Sequence, residues 1–437
     1  MGLRVAKFGG SSVADAIQIE KIGKIIKSSE DRRYIVVSAP GKRFDDDSKI
    51  TDLLYLCKTH IEHKLPYQQL FQVICDRYMA VEVNLGTDVD LKTEFAQMEK
   101  HMNEGASEDY VASRGEYLNA MMIASYLGYD FVDAADMIVF TQKGRFDAES
   151  TNAKIKEVLS KHEHAVIPGF YGARPDGSIK TFTRGGSDVT GALVARAMEA
   201  DVYENWTDVS GFLMADPRIV DDPEPISTIS YKELRELSYM GASVLHEDAI
   251  YPARVADIPI NIRNTNRPED EGTMITAEPS SEDGRIITGI AGSKNFTSIT
   301  IYKSMLNDER GFVRRLASVL EDLDIPIEHL PSGIDTMSVV ISNDSIDGRL
   351  DEILDSFQKQ LEPDHMDVAD DLALIATVGS GMSYRPGVSA RLFTALAQAG
   401  VNIRMIDQGS SEMNIIVGVK NSDFEKSIKA IYEAFEQ

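Results

Sequence analysis

One internal repeat limits the folds open to this chain more than any other feature. The segment starting at Arg310, RGFVRRLASVLEDLDIPIEHLPSGIDTMSVVI, superposes without a gap on the segment starting at Pro386, PGVSARLFTALAQAGVNIRMIDQGSSEMNIIV. Gly311 matches Gly387, Arg315-Leu316 matches Arg391-Leu392, Leu320 matches Leu396, Ile327 matches Ile403, Gly333 matches Gly409 and Met337 matches Met413. Each copy reads as turn, amphipathic helix, strand, glycine turn and strand, with a further helix near 346–360 or 422–435. Adding the strand ahead of each copy gives βαββα twice. The first copy has a closing strand at His365–Val368, whereas the second has none after its last helix. The natural donor is Ile286–Ile290, ahead of the first copy, so the first module (296–370) is expected to be inserted into the second (284–295 plus 371–437).

Ahead of the polar stretch Glu278–Gly284, which reads as a linker, strands alternate with helices. Val5–Phe8, Tyr34–Val37, Ala165–Pro168 and Val202–Trp206 are continuous apolar or near-apolar runs, as expected of strands buried on both faces of a parallel sheet. Helical stretches fall at Ala14–Ser28, where Ile17, Ile22, Ile25 and Ile26 are expected broadly on one face, and near 65–80, 114–127, 187–199 and 231–239. Residues 1–283 are therefore expected to form an α/β domain with a mostly parallel sheet between helices.

Bulk properties exclude some functions. The net charge of −25 opposes nucleic-acid binding, which needs basic patches. No apolar run is long enough to span a bilayer. Two cysteines, Cys57 and Cys75, are too few for a disulfide framework, which points to a reduced, cytoplasmic setting. Any anionic ligand must be met by locally placed cations against an unfavourable overall field.

Four clusters carry chemistry. In VAKFGGSSV a strand ends in two glycines, which let backbone approach a phosphate, and Lys7 can reach the same group as a point charge. An ordinary strand-to-helix turn reads the same way for Gly-Gly alone. In TFTRGGSDVTG, Arg184 precedes a second glycine turn and a helix with Asp188 in its first turn, so a guanidinium fork for a carboxylate sits beside a helix N-terminus. Asp188 also suits a plain helix cap. In ENWTDVSGFLMADPR, Thr207 and Asp208 follow a strand end, where open α/β sheets bind ligands. In SRGE, Glu116 opens a helix, a usual place for a dipole-compensating carboxylate. Neither a P-loop nor a dinucleotide fingerprint is present.

In this order the clusters KFGGSSV, SRGE, RGGSD, WTDV with ADPR, and GASVLH resemble the aspartokinase family of the amino-acid kinase fold, and the doubled module resembles that family's paired ACT domains (βαββαβ, ferredoxin-like). The resemblance covers essentially the whole chain. It implies an ATP- and Mg²⁺-dependent kinase that phosphorylates the side-chain carboxylate of L-aspartate, in the monofunctional form because no homoserine dehydrogenase segment follows. It implies that Lys7, Phe8, Gly9, Gly10 and Ser11 hold ATP phosphates, and that Thr51, Glu116, Arg184, Gly185, Gly186 and Ser187 hold aspartate. Asp188 organises Lys7 and the metal region. Thr207, Asp208, Leu213, Arg218, Ser243 and Val244 line the nucleotide site. Ser243 and Leu213 depart from the lysine and tyrosine of many relatives, and the loop Gly41–Ile50 is longer and more charged.

The resemblance also implies feedback by lysine or threonine bound at the ACT modules. The expected contacts are Met305, the turn Asn307–Val313 with Gly311, Phe312 and Val313, and Glu328, Ser338 and Val339. A homodimer or a dimer of dimers is expected. The alternatives are another amino-acid kinase, or a catalytically silent amino-acid-sensing ACT protein.

Overall fold

The computed structural model describes residues 2–183, 185–241, 247–278 and 285–436. Arg184, Ser243, Val244, the GASVLH histidine His246 and most of the expected linker lie outside them. The elements run in this order: β1 (Arg4–Phe8), α1 (Ala16–Lys27), β2 (Arg32–Val37), α2 (Ile50–Glu62), α3 (Gln68–Leu85), α4 (Leu91–Asn103), α5 (Glu108–Leu127), β3 (Asp130–Phe131), α6 (Ala148–Leu159), β4 (Ala165–Pro168), β5 (Tyr171–Ala173), β6 (Ile179–Thr181), α7 (Gly186–Ala197), β7 (Val202–Thr207), β8 (Thr228–Ser230), α8 (Tyr231–Tyr239), α9 (Glu247–Val255), β9 (Ile260–Asn264) and β10 (Thr273–Thr276). Then follow β11 (Gly289–Tyr302), α10 (Phe312–Asp322), β12 (Thr336–Ser342), α11 (Asn343–Ile346), α12 (Leu350–Leu361), β13 (His365–Val378), α13 (Val388–Gln398), β14 (Met405–Asp407), β15 (Asn414–Val419) and α14 (Phe424–Phe435).

Two compact units emerge. The first comprises Met1–Phe212, Pro225–Tyr231 and Val244–Pro279; the second comprises Leu213–Glu224, Lys232–Ser243 and Ser280–Gln437. In the first, eight strands run in the order β3-β4-β2-β1-β7-β9-β10-β8. Every adjacent pair is parallel except β9–β10. The apolar runs read from sequence form its centre, because strands covered on both faces must be apolar throughout. On α1 the buried positions are Ile19, Ile22, Ile25 and Ile26, while Ile17 is 66% exposed. At about 100° per residue, five positions carry Ile17 well away from Ile22, so the expected stripe is corrected by its first member.

In the second unit the strands β12-β11-β13-β15-β14 form one antiparallel sheet. β11 and β13 pair along their length, from Gly289 opposite Val378 to Tyr302 opposite His365. Of the donor expected at Ile286–Ile290, only Gly289 and Ile290 lie in β11, where Gly289 faces Val378 and Ile290 faces Thr377. The irregular register between Ser293 and Ser298 marks where one module gives way to the other. Ile299, Leu316, Leu320, Val339, Ile353 and Phe357 build a core belonging to the first module alone. Among the described residues, no helix is long and apolar enough to cross a membrane.

Candidate active site

Parallel pairing fixes the geometry around Lys7. Register places Lys7 of β1 opposite Asn205 of β7, and Phe8 opposite Trp206. Both strands end at the same edge of the sheet, where α/β proteins bind ligands. Lys7 is 7% exposed, and its Nζ lies 2.6 Å from Asp188 Oδ1 in the first turn of α7. Asn205 completes the group: its Nδ2 donates to Asp188 Oδ1 at 2.9 Å, and its Oδ1 accepts from Lys7 Nζ at 3.4 Å. A nearly buried ammonium is thus aimed by two acceptors rather than left on a flexible stem. Asp188 orients this cation and does not cap its own helix.

The phosphate turn differs in detail from the expectation. A 3-10 turn, Gly10–Val13, precedes α1, whose N-terminus is capped by Asp15 accepting from Gln18 N–H. The anion-ready end of α1 is therefore already satisfied. Gly9 N–H donates to Trp206 O at 3.0 Å and is likewise spent. Phe8 is fully buried and stacks on Trp206 with ring centroids 5.9 Å apart, so its side chain supports the site from below. Gly10 carries the close approach: Gly41 N–H donates to Gly10 O at 2.8 Å, and a Cβ on Gly41 would fall 2.7 Å from Gly10 carbonyl carbon. The long charged loop after Gly41 is tied down by buried Arg77 of α3, which donates to Gly41 O at 2.7 Å and Ser48 O at 2.6 Å. The uncapped helix end is that of α7, where Gly185, in the left-handed region at φ 56°, makes no side-chain cap. Gly186 and Ser187 are buried in its first turn.

Glu116 is the second chemical feature. It is 5% exposed on α5, and its Oε2 has no hydrogen-bond partner. Burial pushes its pKa up to about 8, against the opposing pull of the Ala39 N–H, its own N–H and Arg114. A buried carboxyl oxygen without a donor is costly unless a ligand supplies one. Arg114 of the same motif has a structural role, packed 4.2 Å from the centroid of Tyr117 and 4.7 Å from that of Tyr110. Thr51 is half-buried in the first turn of α2.

Thr207 and Asp208 lie at the C-terminal end of β7, with Thr207 Oγ1 3.1 Å from Asp208 Oδ1. Leu213 and Arg218 fall in the second unit; Leu213 is exposed and Arg218 Nη2 lies 2.6 Å from Asp216 Oδ2. Among the residues expected to hold an effector, Met305 is 68% exposed with φ 60°, Gly311 caps α10 at φ 79°, and Val313 is exposed. Phe312 and Val339 are buried in the first module's core. Ser338 Oγ shares a hydrogen bond with Thr300 Oγ1 at 2.9 Å, and Glu328 accepts from Tyr239 Oη. Sequence reasoning missed Asn205, Gly41 and Arg77, since nothing local distinguishes an asparagine in a buried strand or a remote arginine. Asn205 was reachable only by pairing β1 with β7 in register.

Among the described residues there is no group of three or more His, Cys, Asp or Glu able to hold a metal ion.

The sequence matches the amino acid kinase family over residues 2–264 and an ACT domain over 375–435. It is 37% identical to aspartokinase 3 of Bacillus subtilis, over 99% of this chain and 98% of that protein. It is 28% identical to the bifunctional chloroplastic aspartokinase/homoserine dehydrogenase 1 of Arabidopsis thaliana, of which it spans 51%. The crystal structure of Clostridium acetobutylicum aspartate kinase, described as an allosteric enzyme, superposes with a TM-score of 0.92 at 51% identity, covering 100% of both chains.

Proposed function

We propose, from the premise that the chain belongs to the amino acid kinase family and within it to the aspartokinases, that it transfers the γ-phosphoryl group of ATP to the side-chain carboxylate of L-aspartate, giving 4-phospho-L-aspartate. The observation carrying this reading is the Lys7–Asp188–Asn205 group, an aimed and nearly buried cation at the sheet edge. A carboxylate with a pKa of about 3.9 is ionised at neutral pH, so no general base is required. The obstacle is repulsion between two anions, on the order of 4 kcal/mol at 4 Å and an effective dielectric near 20. Lys7 offsets this, the uncapped end of α7 presents backbone N–H groups, and bound Mg²⁺ supplies charge neutralisation of the phosphates. Arg184 holds the α-carboxylate of aspartate, and Glu116 accepts from its ammonium at Oε2.

The reaction opens the route to lysine, threonine and methionine, and lysine or threonine acts back through the ACT modules. The support is the doubled module in this chain and the description of its Clostridium relative as allosteric. The test is to trap acyl phosphate as hydroxamate with ATP, Mg²⁺ and aspartate, glutamate or acetylglutamate in turn, then repeat with lysine and threonine added. Hydroxamate from aspartate alone is expected. Hydroxamate from glutamate or acetylglutamate instead rejects the substrate, and no product from any acid points to a silent sensor.

A further inference from the structure

The end of β2 carries an arrangement that the proposed reaction does not itself use. Asn119 of α5 is fully buried, and its Nδ2 donates to Ser38 O at 2.7 Å. Its Oδ1 has no partner. The Ala39 N–H bears on the Glu116 carboxylate. Ser38 C=O and Ala39 N–H are the two ends of one peptide unit. A single peptide plane is thus gripped at its oxygen by Asn119 and faces Glu116 with its hydrogen, and these two side chains stand one turn apart on the same helix face. Because the peptide is planar, fixing its carbonyl direction also fixes its N–H direction.

The helix reaches this peptide through a close approach. A Cβ added at Gly115 would lie 2.8 Å from the Ala39 Cβ, and Gly115 O is held from behind by Tyr78 Oη at 2.6 Å. Asn119 makes one bond and leaves its oxygen unsatisfied in the core. An apolar residue of the same shape would avoid that cost but leave Ser38 O without this donor, so what the amide adds is a fixed direction for the Ser38 carbonyl.

We infer that Asn119 is a positioning residue for Glu116: by clamping the Ser38–Ala39 peptide it engages one edge of the Glu116 carboxylate and leaves Oε2 presented to the substrate ammonium. The inference rests on the reading of Glu116 as the ammonium partner, and it goes beyond that reading by assigning what holds the carboxylate in place. An ammonium brings three N–H donors and needs an acceptor held in one orientation. Without the clamp the peptide rotates and Glu116 turns with it. The cost then appears in aspartate binding, with phosphoryl transfer and nucleotide binding left intact.

The experiment is a double-mutant cycle on the full-length enzyme, with steady-state kinetics in both substrates and thermal melting of every variant. Asn119→Leu is expected to raise the KM for aspartate about tenfold, with kcat and the KM for ATP changed by less than about twofold. Glu116→Gln is expected to raise the KM for aspartate by itself, and the double variant E116Q/N119L is expected to be no worse than E116Q, because Asn119 acts only through Glu116. If E116Q raises KM but N119L leaves it unmoved, or if the two effects multiply, the positioning role is overturned and the reading of Glu116 survives. If E116Q leaves KM unchanged, that reading fails and takes this inference with it. Should N119L not fold, Asn119→Ala takes its place in the cycle with the same expected results, since it removes the donor to Ser38 O and adds no charge beside Glu116.

Discussion

Two buried charges divide the work at this site, and each makes its own prediction. Lys7 is held by Asp188 and Asn205, and in the proposed reaction it meets the phosphoryl group. Lys7→Ala is therefore expected to lower kcat by about a hundredfold or more, while Arg184→Ala mainly raises the KM for aspartate; the same kinetic effect from both refutes the division. Glu116 predicts a pH dependence. Its pKa is raised to about 8 when folded and is about 4.3 in an unfolded chain. Below the lower value both states hold the proton and no penalty exists. As pH rises between the two values the unfolded chain gives up its proton while the folded one keeps it, so stability falls, and above the higher value the loss is complete. Glu116→Gln is thus expected to raise stability above pH 8 by about 5 kcal/mol and to leave it nearly unchanged near pH 4. Aspartate needs the ionised form, so its KM is expected to fall roughly tenfold between about pH 6.5 and pH 8, with the slope abolished in Glu116→Gln. Thermal melts and KM measured across that range check both signs. Lys7 and Asp188 lie in two motifs that the sequence singled out, and the structure brings them together, whereas Arg184 lies outside the described residues. Asn205 and Asn119 were not legible in the sequence, because an amide acquires its meaning from partners far along the chain.

At the scale of elements, the alternation of strands and helices was readable from apolar runs, and the start of α1 was not. A 3-10 turn intervenes after the glycines and Asp15 caps the helix, a local choice that Asp-Ala-Ile permits and does not announce. The SRGE motif shows a similar gap. Its Glu was expected to open a helix but lies in the middle of α5 (Glu108–Leu127), and the reason for its glycine is visible only where α5 meets the end of β2. Gly115→Ala places a methyl carbon 2.8 Å from the Ala39 Cβ. Overpacking of this kind costs about 1–3 kcal/mol, and relief requires moving either α5 or the Ser38–Ala39 peptide. The expected outcome is a loss of that order in urea-melt stability together with a raised KM for aspartate. Loss of stability with unchanged KM assigns the glycine to packing alone.

Across the whole chain, the repeat revealed two modules, but it did not reveal that they share one sheet. β11 and β13 are each continuous through both, because a strand ending one module can start the other when the register shifts between Ser293 and Ser298. Sequence periodicity reports which residues face a core and is silent on whether two cores hang from one strand. If the first module is an insertion, its removal must leave a closed hairpin behind. Ser293 stands opposite Leu374, so the flanking halves of β11 and β13 are already adjacent where the cut would fall. The first module's core is also its own. Replacing residues 294–373 by an Asn-Gly turn, which suits a two-residue hairpin, is expected to leave a folded protein that retains hydroxamate formation with ATP and aspartate. The effector contacts proposed here at Met305, Gly311, Val313, Glu328 and Ser338 go with the excised segment, so the shortened enzyme is expected to ignore lysine and threonine. Circular dichroism melts and the hydroxamate assay with each amino acid read both results. Unfolding of the shortened chain refutes the insertion, and retained inhibition moves the effector site out of the first module.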